Sequence, residues 1–392
     1  LVEGIVVLED KTLSSQKVKV YEKTKGYIAQ ITTNESFKFE FYSSNIELIF
    51  VAEGFPSVKQ SIDFNERVES FVRIELKVQE LSEIVISAKR KEVFLLKRME
   101  DFEQTEIYAG KKNEVILVEQ SMGNLASNNS RQIYNQIPGL NIYQNDDAGL
   151  QLNVGGRGLD PNRTSNFNTR QNGYDISADV LGYPESYYTP PAEGLEAIQI
   201  IRGAASLQYG TQFGGLINFK LKTPDPLKPF TLKTRNTVGS NSLLTNFSMV
   251  SGSIKEFKYL GFVNLKKGDG FRPNSQFNSS NIFIQFGYEV SEDTSLTAEL
   301  TYLDYLSQQG GGLSDRMFDE NAFQSNRSRN WFGLSWLLYN VKFQHTFNSN
   351  SNFSLNLFGL DAQRNAIGFR SNRVNQVDPG QERDLIKGDF KN

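Results

Sequence analysis

Cysteine is absent from the 392 residues, and histidine occurs once, as His345. The first absence removes disulfides, thiol nucleophiles and thiolate metal sites together. The second leaves no imidazole cluster for zinc, so acid–base chemistry would have to rest on carboxylates, lysine or tyrosine. Both absences weigh against an enzyme. Long apolar runs are missing as well. The longest, from Ile46 to Ala52, is interrupted by Glu47 and falls far short of the roughly 20 residues of a membrane-spanning helix. A membrane crossing would therefore require a barrel. The net charge of −3 gives no basic footprint, which sets nucleic acid aside as a partner. No basic stretch followed by an apolar segment opens the chain, so a secretory signal would have been removed or would lie upstream.

What is present argues for β structure. Hydrophobic residues make up 38% and aromatic residues 12%. Asn, Ser and Gly crowd the second half, a mixture that suits strands with one apolar and one polar face. Residues 1–78 alternate strand-like runs with turn signals, at 2–8, 16–21, 27–32, 37–42, 46–52 and, after a polar interval, 71–76. Such punctuation predicts a small β-sandwich. Residues 79–112 read as a linker. Within it, Leu81-Ser82-Glu83-Ile84-Val85-Ile86-Ser87-Ala88 is a β-prone run leading into Lys89-Arg90-Lys91. A segment of this kind can dock by adding itself to a partner's sheet edge. It can equally be the last strand of the sandwich or a linker strand.

From Glu114 the pattern becomes an α/β alternation. It predicts a strand at 115–118, a helix at 127–137 stopped by Pro138-Gly139, and strands at 140–143 and 150–154. The turn Gly155-Gly156-Arg157-Gly158, a polar stretch to about Pro191, and strands at 197–201 and 216–221 complete a compact mixed domain over 113–225. A phosphate-binding loop would end in Lys-Ser/Thr or open a helix after a parallel strand, and neither pattern occurs. Tight turns with close backbone packing account for Gly155, Gly156 and Gly158.

Residues 226–392 are two-periodic. Ile282, Ile284, Phe286, Tyr288 and Val290 oppose Gln285, Gly287 and Glu289, and Leu296, Ala298, Leu300 and Tyr302 oppose Thr297, Glu299 and Thr301. About seven strands are expected, at 230–238, 243–250, 257–265, 282–290, 296–302, 337–347 and 353–357. Short turns at 252–256, 291–295 and 348–352 alternate with longer excursions at 266–280, 307–330 and from 364 onward, with only 239–242 brief. Outer-membrane barrels alternate short periplasmic turns with long outer loops in this way. Phe257, Tyr259, Trp331, Phe332, Phe347 and Phe353 suit interfacial girdles, and His345 reads as an interface residue. A barrel wide enough to hold an internal domain has on the order of 22 strands. The expectation is therefore an incomplete barrel, which would not insert stably alone because an open edge leaves backbone groups unsatisfied.

The order of these parts resembles TonB-dependent receptors. Three runs carry the resemblance. They are Arg131-Gln132-Ile133-Tyr134-Asn135-Gln136-Ile137-Pro138-Gly139-Leu140, then Asn153-Val154-Gly155-Gly156-Arg157-Gly158, and then the stretch from Leu195 through Arg202-Gly203-Ala204 to Tyr209-Gly210, running on into Gly214-Gly215-Leu216-Ile217-Asn218. In the first domain, Gly4-Ile5-Val6-Val7, Asn34-Glu35-Ser36-Phe37-Lys38-Phe39 and Ala52-Glu53-Gly54-Phe55 resemble the carboxypeptidase-regulatory-like (transthyretin-like) domain. That module is accessory, without peptidase activity, and common among Bacteroidetes-type receptors. The resemblance implies a mainly β fold with an N-terminal β-sandwich over 1–78, an α/β plug domain over 113–225, and the first strands of an incomplete 22-stranded antiparallel transmembrane β-barrel over 226–392. By the same resemblance Glu83, Ile84, Val85 and Ile86 correspond to a TonB box. The implied partners are TonB with ExbB and ExbD, outer-membrane lipid and a ferric chelate ligand, and the implied location is the outer membrane of a Gram-negative bacterium. No cofactor is expected, since iron would be carried as a chelate by the substrate.

Gly158-Leu159-Asp160-Pro161-Asn162-Arg163-Thr164-Ser165, Gly310-Gly311-Gly312-Leu313-Ser314-Asp315 and Asn326-Arg327-Ser328-Arg329-Asn330-Trp331-Phe332 look like ferric dicitrate receptors. The Val-Asp-Gly of many plugs is replaced by Gln171-Asn172-Gly173-Tyr174-Asp175, which weighs against a SusC-like glycan importer, the alternative. An anionic chelate would be held by planar guanidinium groups. Arg163 and Arg170 on the plug, and Arg316, Arg327, Arg329, Arg364 and Arg370 on barrel loops, are the candidates. Each could instead be a solvated charge or a loop-to-loop salt bridge. Arg157, Glu196 and Arg202 are expected to lock the plug to the barrel, and no catalytic or metal-ligating residue is expected. Energised import competes with two other readings. A passive porin or adhesin has no use for a docking strand followed by an α/β domain, and an enzyme is opposed by the scarcity of His and Cys.

Overall fold

In the computed structural model the chain forms two units, Leu1–Arg90 and Lys91–Asn392. The structure describes all residues except 9–14, 23–25, 42–44, 53–54, 56, 64–69, 77–96, 104–105, 109–111, 145–147, 183–184, 203–207, 210–213, 349–350, 371–375, 377, 383–384 and 392. The run at 81–88, with Glu83, Ile84, Val85 and Ile86, lies outside the described residues.

The first unit holds β1 (Val2–Leu8), β2 (Lys17–Glu22), β3 (Gly26–Thr32), β4 (Ser36–Phe39), β5 (Asn45–Ala52), β6 (Val58–Asp63) and β7 (Ser70–Leu76). They form two sheets, ordered β4-β1-β7 and β3-β2-β5-β6, with β1 and β7 parallel. Alternate side chains of a strand share one face. Val2, Val6, Val18, Val20, Leu48, Phe50 and Leu76 are accordingly fully buried in one core between the sheets. Each such burial contributes about 1.5–3 kcal/mol. The strand missing from the sequence reading is β6. It is an edge strand whose polar residues alternate with Val58 and Ile62, so its apolar content is too thin to stand out.

The second unit opens earlier than the expected boundary at residue 113. Lys97 bridges Val115, and β8 (Phe102–Glu103) pairs with β9 (Glu106–Ile107). The mixed domain follows, with β10 (Asn113–Leu117), α1 (Ser130–Tyr134), β11 (Leu140–Ile142), β12 (Val154–Gly156), β13 (Phe167–Gln171), β14 (Tyr174–Asp175), β15 (Leu195–Ile201) and β16 (Gly215–Leu221). Its main sheet runs β10-β15-β16-β13-β14, and only the β13–β16 pair is parallel. The helix is shorter than the expected 127–137. Asn129 caps it by accepting a hydrogen bond from the Gln132 N–H at 3.1 Å, and Gly139 follows at φ 73°. The polar stretch before Pro191 also contains a hairpin, β13 to β14, turned by Asn172 and Gly173 at φ 47° and 90°. Asn-Gly is the residue pair such a two-residue turn demands.

The remaining strands form one antiparallel sheet in sequence order: β17 (Thr231–Val238), β18 (Leu244–Ile254), β19 (Phe257–Gly268), β20 (Phe277–Ser291), β21 (Thr294–Gln308), β22 (Trp331–Asn348), β23 (Ser351–Phe369) and β24 (Leu385–Lys391). Eight strands replace the expected seven or so, with β17 and β24 at the edges. Two-residue turns at 255–256 and 292–293 lie at one end of this wall, where β22 also ends and β23 begins. The connections 239–243, 269–276, 309–330 and 370–384 lie at the other. The longest of them carries a short helix, α2 (Asp315–Glu320).

Burial along the wall is the reverse of that in a soluble sandwich. On β20, Ile284, Phe286 and Tyr288 are 38%, 50% and 50% exposed, while Asn281 and Phe283 between the strands' outward positions are 4% and 0% exposed. The apolar face looks away from the protein, as in barrels bathed in lipid. No described helix is long and apolar enough to cross a membrane. The inward face of the wall packs on the mixed domain, and one core contains Tyr187, Ile198 and Phe219 from the domain with Phe262, Phe283 and Trp336 from the wall.

Candidate functional site

The long-loop end of this interface is organised around Arg163. The turn at Arg157 and Gly158, with φ 57° and 76°, reverses the chain after β12. Gly155 has no room for a side chain there, since a Cβ would lie 2.3 Å from the Leu159 carbonyl oxygen. Close packing, as read from the sequence, is thus the reason for this glycine. Thr164 Oγ1 accepts from the Val154 N–H at 3.1 Å and donates to the Leu152 carbonyl at 2.9 Å, while Asn153 Oδ1 accepts from the Arg163 N–H at 2.8 Å. Arg163 is held at φ 49°. Its Nη1 donates to Glu185 Oε2 at 3.0 Å and to the Tyr187 hydroxyl at 3.4 Å.

The Arg163 guanidinium carbon lies 5.3 Å from the ring centres of both Tyr187 and Phe332. Arg364, reaching in from β23, lies 5.3 Å from the same two centres. One guanidinium from the mixed domain and one from the wall therefore share an aromatic pair, whose rings are 5.6 Å apart, with Trp336 edge-on to Tyr187 at 6.3 Å. Desolvated cation–π contacts of this kind contribute about 2 kcal/mol. Burial first, and the Glu185 carboxylate second, push the Tyr187 phenol well above its ordinary range, so it remains a donor. A cavity of about 90 Å³ adjoins the cluster, lined in part by Gln151, Arg163, Tyr305 and Gln308. The arrangement suits an anion with planar carboxylates, which guanidinium groups bind by paired hydrogen bonds.

The other arginines go elsewhere. Arg170 donates to Asn168 Oδ1 at 2.8 Å and to the carbonyls of Gly173 and Tyr209 at 2.6 and 3.2 Å, with its guanidinium 4.5 Å from the Tyr209 ring centre. Burial lowers its pKa against the pull of Asp175. It is an internal clamp of the mixed domain, with Nε, Nη1 and Nη2 each donating within it. Arg327 is buried, donating to the carbonyls of Asn326 and Gln376 at 2.7 and 2.8 Å. Arg329 forks onto the Asp378 carboxylate, with Nε 2.9 Å from Oδ2. These two tie one long loop to the next, the salt-bridge alternative to ligand binding. Arg316 is exposed on α2 and paired with Glu320 at 2.8 Å, and Arg370 is exposed.

Among the described residues, none of the three expected locks bonds to the wall. Arg157 is exposed at its turn, and Glu196 is exposed at the edge of a cleft. Arg202 is buried but bonds within the domain, to the Pro138 carbonyl at 2.8 Å and to Glu114 at 3.3 Å. Ties among the described residues include Glu193 to Arg235 at 2.8 Å, Glu119 to Lys233 at 3.8 Å, Asn172 to Glu299 at 2.8 Å, Gln171 to Thr301 at 3.0 Å, Gln151 to Tyr305 at 2.9 Å and Lys266 to the Ala148 carbonyl at 3.1 Å. A signal for them was present in the sequence, because charged and amide residues recur on the inward face of the wall strands. Among the described residues, no group of three or more His, Cys, Asp or Glu is placed to hold a metal.

A second cluster, also unforeseen, holds the β8–β9 hairpin to the domain. The Gln208 side-chain amide pairs reciprocally with the Ile107 N–H and carbonyl, at 3.2 and 3.4 Å. The Tyr108 hydroxyl donates to Glu106 at 2.6 Å and lies 2.9 Å from that of Tyr209. Burial, reinforced by Glu106, drives the Tyr108 phenol far above its ordinary range. Met99, Tyr108, Val115, Ile201 and Leu216 share a small core beneath.

Residues 111–216 match the TonB-dependent Receptor Plug Domain. The mixed domain is thus a plug, seated on the inward face of a β wall. Solved structures similar to the chain include the ferric citrate transporter FecA in its unliganded form, with a TM-score of 0.56 and 22% identity over 67% of this chain and 41% of that one. The copper transporter OprC gives 0.53 and 14% over 74% and 41%. The ferric-catecholate import receptor Fiu from E. coli K12, closed form, gives 0.51 and 14% over 72% and 42%. At such identities the likeness carries the fold, a plug with part of an antiparallel barrel. The chain spans about two fifths of the length of these structures.

Proposed function

We propose that this chain contributes the plug and part of the barrel wall of a TonB-dependent importer in the outer membrane of a Gram-negative bacterium, and that its cargo is an anionic iron chelate of the ferric citrate kind. The long-loop end faces outward, the two-residue turns face the periplasm, and the segment 81–88 is where TonB, energised by ExbB and ExbD, pulls. The N-terminal sandwich is an accessory module of the carboxypeptidase-regulatory-like kind. No cofactor is needed, because no bond of the cargo is broken.

One observation carries the substrate class. Arg163 from the plug and Arg364 from the wall converge on Tyr187 and Phe332 at the outward end, so a carboxylate ligand bound there would touch both moving parts. A second reading, a glycan importer, is favoured by a cleft of about 430 Å³ nearer the periplasmic end, lined by amides including Asn172, Gln199, Gln285, Asn340 and Gln344. Amides hydrogen-bond neutral hydroxyls as readily as anions. Growth on ferric citrate as sole iron source, with and without the full-length gene, separates the two. Growth should require the gene and should fail with Arg163→Ala/Arg364→Ala, since each charge-assisted contact contributes about 1.5–3 kcal/mol. Gene-independent growth on ferric citrate, with gene-dependent growth on a glycan, would favour the second reading.

A further inference from the structure

A groove of about 540 Å³ between plug residues 119–126 and the inner face of β17 is separate from the outer cluster, and Glu119, Glu193, Lys222, Lys233, Arg235 and Thr237 are among its lining. Strand alternation places Lys233, Arg235 and Thr237 on one face, a ladder running along the strand from its periplasmic half toward the outer end. Three cations here meet two carboxylates. Arg235 Nη1 is 2.8 Å from Glu193 Oε1, and Glu119 Oε1 is 3.0 Å from Lys222 Nζ and 3.8 Å from Lys233 Nζ. The Glu193 side chain is 4% exposed, whereas those of Arg235 and Lys233 are 45% and 41% exposed. The buried partner lies behind, and the cations present open faces to the groove.

We propose that this groove is an inner anion site. A polycarboxylate cargo that has left the outer cluster exchanges there with Glu193 for Arg235 and with Glu119 for Lys233. Carboxylates of cargo and plug make equivalent charge-assisted contacts with these cations, so the exchange keeps both cations paired while removing two ties between plug and wall. Burial already pushes the Glu193 carboxyl above its ordinary range against the pull of Arg235, Lys266 and Lys233. A Glu193 deserted by Arg235 can therefore take up a proton rather than remain a bare buried charge. The proposal rests on the anionic-chelate reading above.

The test uses the full-length receptor in its outer membrane and ferric citrate as the probe. Lys233→Gln/Arg235→Gln should leave surface binding unchanged and lower the saturated rate of energised uptake about a hundredfold or more, the effect of two lost charge-assisted contacts, with half-saturation unaltered. Lys233→Arg/Arg235→Lys should restore the rate. Glu193→Gln, which removes the plug-side competitor and keeps the cations, should import at the wild-type rate or faster. A purely structural lock instead makes Arg235→Gln and Glu193→Gln behave alike, because each breaks the same pair. Alike behaviour, failure of the charge-conserving variant to rescue, or wild-type uptake by the double glutamine variant would overturn the inner site while leaving the importer assignment standing. Absence of ferric citrate binding by the unaltered receptor would overturn the chelate assignment, and the inner site with it.

Discussion

Two arginines of the same residue type and similar sequence surroundings, Arg163 and Arg170, end in opposite roles. Arg163 sits at a left-handed turn with its guanidinium at the plug–wall boundary, while Arg170 spends its donors inside the plug. Residue type was legible in the sequence, but the direction of a side chain depends on which strand face and which turn carry it. The outer loops illustrate the same limit, because Arg329 proves to have a carboxylate partner 49 residues away. That pair makes a pH prediction. The Arg329 fork holds the Asp378 carboxyl below its ordinary range. A carboxylate whose folded-state pKa is lowered stabilises the fold above its unfolded value, near 3.9, and loses that contribution as pH falls through the lowered folded value. The tie should thus persist through neutral pH and fail only below about pH 4. Amide exchange around Arg329 and Gln376, corrected for intrinsic pH dependence, should stay flat from pH 7 to 5, and Asp378→Asn should raise it at pH 7. Loosening of the unaltered protein between pH 7 and 5 would contradict the assignment.

At the scale of elements, strands with a full two-residue alternation were legible, and those dominated by polar residues were not. The Asn172-Gly173 hairpin was missed although its turn pair is a strong local signal. Its flanks, Phe167–Gln171 and Tyr174–Asp175, carry polar residues at most positions because plug and wall contacts satisfy them. The β8–β9 hairpin was read as linker for a related reason, since a two-residue strand has no period. Its attachment through Gln208 is nonetheless specific, with a side-chain amide taking the place of a neighbouring strand's backbone. Removing that amide by Gln208→Ala deletes two hydrogen bonds with a net contribution of about 1 kcal/mol. Ile107 amide exchange should rise roughly fivefold while amides of β15 and β16 are unaffected. Equal acceleration across the plug sheet would mean that the hairpin and plug open as one unit. If the segment upstream is where TonB pulls, the Lys97–Val115 bridge and then this hairpin are the first parts of the plug to feel the load.

For the whole molecule, periodicity specified alternation but could not say which face met the protein, and burial decides it. Ile284, Phe286, Leu296 and Leu300 of β20 and β21 point away from the plug, whereas polar Thr301 and Glu299 point toward it and bond to Gln171 and Asn172. This inversion makes a sharper prediction than the count of strands. Leu300 and Thr297 lie three residues apart on β21, one exposed on the outer face and the other lining the amide cleft within. In water both substitutions to arginine would be mild, with the outward one the milder because it is the more exposed. In lipid the order reverses. Leu300→Arg near the middle of the strand should destabilise the assembled receptor by about 2–4 kcal/mol. Thr297→Arg, in a polar lumen, should cost well under half of that. Folding of the full-length receptor into bilayers, followed by denaturant titration, measures both. Comparable small effects from the two substitutions would place the outward face in water and remove the barrel reading altogether, whereas a large effect confined to Leu300→Arg assigns that face to the membrane.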